Sequence, residues 1–232
     1  MHKLAALFSG GKDSTHAIYL AVQRGFAVST LVTARPARAD SHMFHTPNLD
    51  LTRLAAQAMG MPIHEIPVSG EAEREVAELE AGLRPLVDLG KVDGLLSGAI
   101  ASDYQWARLN DIGHRLGVPC FSPMWRVDAE RVLRDEIASG LKFMIVAAQT
   151  EGLNEKWLGH TFDGPLLERL LQQARDERFH PAGEGGEYET LVTDGPLFSK
   201  RLRVEAYHVV PGETSSYFAV DDAVLADRGG PL

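Results

Sequence analysis

Cysteine is nearly missing from this chain of 232 residues. Cys120 is the only one, which excludes an intramolecular disulfide and a zinc site built from several thiolates, and fits a reducing interior. Basic residues are also in short supply: 23 Lys and Arg against 32 Asp and Glu leave a net charge of −9. Such a field repels phosphate backbones and anionic lipid, so nucleic acid and membrane are not expected as partners. Long hydrophobic runs are lacking too. The N-terminal stretch Leu4 to Phe8 is too short for a secretion signal or a membrane span, and a cytoplasmic protein is expected. No Pro-, Ser- or Gln-rich tract occurs, no repeat and no coiled coil. What remains is 44% hydrophobic and 24% charged, the balance of a chain that buries a core.

Short apolar runs alternate with segments of helical period, which predicts βαβ units and a doubly wound, mostly parallel α/β sheet. Strands are expected at Leu4 to Phe8, Phe26 to Val32, Pro62 to Ile66, Val92 to Leu96 and Gly117 to Phe121, with a final apolar run at Phe143 to Ala148. Helices fall between them. Pro47 and Asn48 open one that Gly60 closes, Glu71 to Leu89 is acidic and amphipathic, Asp103 to Leu116 follows, and Asp128 caps another ending at Ser139. Residues 1–150 are expected as one domain. Residues 151–232 read as a smaller α+β appendage: a helix from Asp163 to Arg178, then Arg201 to Val210 with Leu202, Val204 and Ala206 inward at period two. The turn at Pro211-Gly212-Glu213 and a strand around Tyr217 to Val220 predict a hairpin.

Directly after the first strand come Ser9-Gly10-Gly11-Lys12-Asp13-Ser14, which also open the first helix. The glycines let backbone turn tightly and approach a ligand, the helix start presents unpaired N–H groups, and Ser9, Ser14 and Lys12 add hydroxyls and a positive charge. That combination is an anion cradle. It is not a Walker P-loop, which would need glycine at Ala6 and a hydroxyl at Asp13. The hexapeptide resembles the SGGxDS signature of the ATP pyrophosphatase (PP-loop) superfamily, which implies cleavage of ATP between the α and β phosphates to adenylate a substrate oxygen. A Gly-Gly turn with a helix cap is the bland alternative.

Sulfur transfer within that superfamily is disfavoured by the single cysteine and the acidic charge, and Cys120 reads as a small buried hydrophobe. Glutamine-dependent amidation in the same chain would need an N-terminal cysteine where Met1 and His2 stand, so ammonia is expected free or from a partner.

Three further segments narrow the choice: Phe44-His45-Thr46-Pro47-Asn48; Ser97 to Gln105 with Arg108; and Gly183-Glu184-Gly185-Gly186-Glu187-Tyr188-Glu189-Thr190 running on to Phe198. With the cradle they resemble the diphthine-ammonia ligase family over roughly residues 3–210. The resemblance implies carboxylate adenylation, loss of pyrophosphate and displacement of AMP by ammonia, with ATP and Mg²⁺ as cofactors. It also implies diphthine on elongation factor 2 as acceptor in archaea and eukaryotes. Seventeen Arg against six Lys hints at a GC-rich, bacterial coding sequence, for which another carboxylate such as a corrinoid-related one is the alternative. An adenine-nucleotide sensor without ligase activity is the non-catalytic alternative. Oligomeric state stays open, with a homodimer allowed.

The residues fit those roles on physical grounds. Gly98, Tyr104 and Gln105 leave the carboxyl end of a central strand, where open α/β sheets bind ligands. Arg108 offers a bidentate partner for phosphate or carboxylate, or is a solvated helix arginine. Glu184, Glu187 and Glu189, crowded among glycines beside Thr190, suit ammonium capture and proton removal, with Glu187 the expected base; a plain acidic loop competes. Asp13 either holds Mg²⁺ between phosphates or caps the helix. His45 and Asn48, at a helix entry, either contact substrate or serve the loop.

Overall fold

The computed structural model describes residues 2–37, 48–150, 152–212 and 215–229. Its N-terminal part is a five-stranded, all-parallel sheet of β1 (Lys3–Leu7), β2 (Ala27–Pro36), β3 (Ile63–Val68), β4 (Gly94–Leu96) and β5 (Cys120–Phe121), in the order β3-β2-β1-β4-β5. Helices α1 (Lys12–Gln23), α2 (Thr52–Met59), α3 (Arg74–Asp88) and α4 (Asp103–Leu116) form the crossovers. This is the expected doubly wound arrangement. Strand order reverses between β1 and β4, so the crevice outside their carboxyl ends is where such sheets take ligands.

Local chemistry sets the helix ends. Gly60 and Gly117 close α2 and α4 in the left-handed conformation, at φ of 65° and 73°. Ser102 Oγ accepts from Gln105 N at the start of α4, and Asp128 from Arg131 N at the start of α5 (Ala129–Ala138). Two buried clusters cover the faces of the sheet. One gathers Val32, Ile66, Leu79, Leu83, Leu95 and Ile112. The larger runs from Leu4, Ile18 and Leu31 on to Phe143, Phe162 and Leu170, so the two halves of the chain share it.

The second half contains α6 (Gly164–Glu177) and an antiparallel sheet of β6 (Lys142–Ala148), β7 (Tyr188–Asp194), β8 (Arg201–Val210) and β9 (Ser216–Ala226), in the order β7-β6-β9-β8. The apolar run Phe143 to Ala148 was expected to finish the parallel region but lies here instead. As an inner strand it is buried at every position from Phe143 to Ala148, and such a run carries no periodicity to tell the two settings apart. Strand β7 has no counterpart in the sequence reading, although Tyr188-Glu189-Thr190-Leu191-Val192-Thr193 is rich in strand formers. The β8–β9 hairpin is present. Leu202 is buried as expected, but Ala206 is exposed, because the register slips on both sides of it. Among the described residues no helix is long and apolar enough to cross a membrane.

Candidate active site

A cleft of about 980 Å³ opens at the reversal point, bounded by the loop after β1, the loop after β4, the glycine-rich segment 182–186 and the start of β7. Gly10 turns the first loop at φ +82°. Ser9 and Ser14 bring their hydroxyls to 3.2 Å of each other. Strand β7 then locks the loop from outside its own sheet: Val192 N donates to Gly10 O at 2.9 Å, and Lys12 N donates to Thr190 Oγ1 at 3.1 Å. Gly98 packs from the other side. A Cβ there would stand 2.8 Å from Asp13 C and Ser14 N, so only glycine lets the loop after β4 meet the helix start.

Lys12 is fully buried in the core and does not stand free for a phosphate. Its ammonium donates to both Asp13 oxygens, at 2.8 and 2.7 Å, and to Ala182 O at 2.8 Å. Burial disfavours its charge, yet Asp13, Tyr188 and Glu136 hold its pKa well above the usual lysine range. Glu136 of α5 is itself fully buried with neither oxygen in a hydrogen bond, and burial holds its carboxyl well above the carboxylate range. Sequence reasoning missed it, since a glutamate in an amphipathic helix signals a solvated face.

The three glutamates of the glycine-rich segment divide sharply. Glu184 Oε2 accepts from Ile100 N, Ala101 N and Ser102 N at 3.1, 2.7 and 2.9 Å, which ties the segment to the start of α4. Glu187 folds back on its own loop, accepting from His180 N and Gly185 N at 2.9 Å each. Glu189 lines the cleft with no hydrogen bond among the described residues. Its carboxyl is pushed up to about 7, by burial above all and by Asp13 and Glu184, against the pull of Lys12.

Tyr104 and Gln105 line the cleft, whereas Arg108 stands just behind them. Its guanidinium stacks 3.4 Å over the Tyr104 ring and donates from Nε to Glu73 Oε1 at 3.0 Å. Asn48 is spent on structure: Nδ2 donates to Phe218 O at 2.9 Å, and Oδ1 accepts from Val220 N at 2.8 Å. His45 lies outside the described residues. Cys120 is half-buried, and burial pushes its thiol up to about 11, as suits an inert thiol.

The same two-part construction is found in known proteins. Residues 2–120 match the model of the diphthamide synthase N-terminal domain and residues 128–226 that of its C-terminal domain. The chain belongs to the diphthamide synthase family. Relatives named diphthine–ammonia ligase include the human protein, 32% identical over 90% of this chain and 85% of its own length, and the bovine one, 31% identical over 94% and 88%. The fission yeast relative is 32% identical over 90% of this chain, which spans 37% of that longer protein. A solved structure titled as a predicted subunit of a tRNA methyltransferase from Methanocaldococcus jannaschii aligns over 84% of this chain and 98% of its own, at 15% identity and a TM-score of 0.46. That likeness is too remote to carry an argument. The family boundary near residue 120 to 128 falls where the parallel sheet ends and before β6 joins the second one.

Proposed function

We propose that this diphthamide synthase family member is an ATP-dependent, AMP-forming carboxylate–ammonia ligase acting on diphthine. The observation that carries the reading is the cradle itself: a Gly-Gly turn at the reversal point, held by β7 on one side and Gly98 on the other, opening into a cleft large enough for a nucleotide and a second substrate. The helix start and loop N–H groups receive the phosphates of ATP. A carboxylate oxygen of the acceptor attacks the α-phosphorus, pyrophosphate departs, and ammonia then displaces AMP from the acyl-adenylate. On this reading residues up to about 120 bind the nucleotide, and the second sheet presents the acceptor and the amine. The names of the relatives favour diphthine as the acceptor, and the family resemblance implies that elongation factor 2 carries it.

In this reading Glu184 and Glu187 shape the loop through the backbone N–H groups they hold, and Arg108, paired with Glu73, braces Tyr104 against the cleft from behind. Magnesium is expected to accompany ATP, but this chain offers it little. Both oxygens of Asp13 already accept from Lys12, and among the described residues no three His, Cys, Asp or Glu side chains are grouped to hold a metal. No step is routed through it here.

The test is the nucleotide product. Incubation with ATP, Mg²⁺, ammonium and diphthine-bearing elongation factor 2 is expected to yield AMP and pyrophosphate in step with amide. ADP in step with turnover refutes adenylation, and nucleotide binding without turnover on this acceptor leaves the sensor reading in its place.

A further inference from the structure

Strand register places three cleft-lining side chains of the second sheet together. Ala147 of β6 pairs with Glu189 of β7 on one side and with Tyr217 of β9 on the other. Directly opposed residues in antiparallel strands project to the same face, so Glu189, Ala147 and Tyr217 form one row across three strands. Gln149, two residues beyond Ala147, returns to that face, and its N–H continues the pairing by donating to Glu187 O at 2.8 Å. Ala147 is fully buried and carries only a methyl group, so it leaves room between the larger side chains on either side of it. Glu189, Gln149 and Tyr217 all border the cleft.

This face is chemically unusual in two ways. Glu189 is the one glutamate of its segment whose carboxylate is not occupied by backbone N–H groups, since Glu184 and Glu187 each hold two or more. Gln149 Nε2 is a buried donor with no acceptor among the described residues. Buried donors in folded proteins are almost always paired, so this one is suited to a group that arrives with a ligand.

We propose that Glu189, Gln149 and Tyr217 form an ammonia-loading subsite, in which Glu189 binds ammonium and takes its proton while Gln149 Nε2 donates to the acyl oxygen of the adenylate. The inference rests on the ligase reading given above. Ammonium gives one proton to the Glu189 carboxylate and becomes ammonia. The nitrogen lone pair then forms the C–N bond at the acyl carbon, the bond from that carbon to the phosphate oxygen breaks, and AMP leaves with the electron pair. The second proton passes from nitrogen to solvent as the amide forms. Glu189 is faced by Lys12 and Asp13 of α1 and Glu184 of the glycine-rich segment, with Tyr217 of β9 across Ala147 on the same row; the carboxylates raise its proton affinity and Lys12 opposes them. A base titrating near neutrality is matched to this task.

Hydroxylamine separates the subsite from the rest of the reaction, because it is neutral at pH 7 and needs no proton removed before it attacks. ATP–pyrophosphate exchange in the presence of the acceptor reports adenylation alone. For Glu189→Gln we expect exchange within about threefold of wild type, hydroxamate formation within about threefold, and ammonium-dependent amide formation down by roughly 10²- to 10⁴-fold. Gln149→Leu is expected to slow both nucleophiles alike, by about tenfold, with exchange retained. With wild type at fixed total ammonium, the amidation rate relative to hydroxamate formation is expected to rise with pH through an inflection near 7 that Glu189→Gln abolishes. Equal loss with ammonium and hydroxylamine in Glu189→Gln, or loss of exchange in step with amide, overturns the subsite. A wild-type protein that shows no exchange with any carboxylate overturns the ligase reading itself, and the subsite with it.

Discussion

The parallel and antiparallel sheets contribute to the cleft in different currencies. From the parallel sheet come the parts of an anion cradle: Gly10 and Gly11 in the turn, the N–H groups at the starts of α1 and α4, Gly98 against the start of α1, and the Lys12–Asp13 pair beside them. The antiparallel sheet supplies the Glu189 carboxylate and the unpartnered Gln149 amide, together with the contacts of Thr190 and Val192 that hold the turn in place. The difference teaches that neither half makes the site alone. An anion cradle can be read as a local motif, but here its geometry is held by a strand some 180 residues away, through Lys12 N and Thr190 Oγ1.

The comparison is tested hardest at Lys12, whose ammonium joins Asp13 of the first half to Ala182 of the second. Lys12→Met keeps much of the volume and removes the charge, leaving Asp13 beside the buried Glu136 without a counter-ion. Lys12 is buried but the Asp13 side chain is a quarter exposed, so the loss is expected at the low end of the range for buried pairs, about 3 kcal/mol. Urea denaturation should show a loss of that size; a loss under about 1 kcal/mol would mean that the cross-link is dispensable.

Next comes Gly98. Its missing Cβ would meet backbone of Asp13 and Ser14 at 2.8 Å, and backbone has no rotamer by which to withdraw. Gly98→Ala is therefore expected to displace the helix start and weaken ATP binding by about 10²-fold, which corresponds to roughly 2.7 kcal/mol. Calorimetric titration checks this, and an unchanged affinity would show that the cradle tolerates movement and owes little to the loop after β4.

Glu184→Ala should have a smaller effect, about 2 kcal/mol, since three backbone N–H groups lose a charged acceptor but lie partly within reach of water. Hydrogen exchange at Ile100, Ala101 and Ser102 should accelerate in the variant while exchange in the core of β6 changes only with global stability. Protection unchanged at those three amides would detach the glycine-rich segment from α4.

The same contrast explains what the sequence disclosed. Alternation of apolar runs and amphipathic helices gave the parallel region element by element, and Asp103 to Leu116 coincides with α4, because Ser102 and Gly117 are explicit start and stop signals. The cradle was legible for the same reason, as local chemistry at a fixed place in a βα unit. Glu184, Glu187 and Glu189 could be noticed as a group but not told apart. Which of them accepts backbone N–H groups depends on where residues 100–102 and 180–185 come to rest, and that is tertiary information. Gln149 and Glu136 carried no signal at all: an amide after an apolar strand and a glutamate in a helix are ordinary until burial leaves them without partners.

Asn48 provides the gentlest test of the joint between the two halves. It sits at φ 61° just before the turn Leu49–Leu51, and its amide pairs with the backbone of Phe218 and Val220, so it extends the edge of β9 in place of a neighbouring strand. Two requirements meet in one residue: a left-handed backbone, which asparagine and glycine adopt at low cost, and an amide that both donates and accepts. Glycine at this position keeps the first and removes the second. Asn48→Gly is expected to cost about 1 kcal/mol, because the two backbone groups it leaves are partly exposed and water replaces much of the lost bonding. Asn48→Ala should cost about 1 kcal/mol more, the penalty for a Cβ in the left-handed region. The difference between the two variants, measured by denaturation at equal protein concentration, isolates the backbone requirement from the pairing. If glycine proves as stable as asparagine, the amide contributes nothing to joining the sheets, and the substrate contact expected of Asn48 from sequence becomes the better account of it.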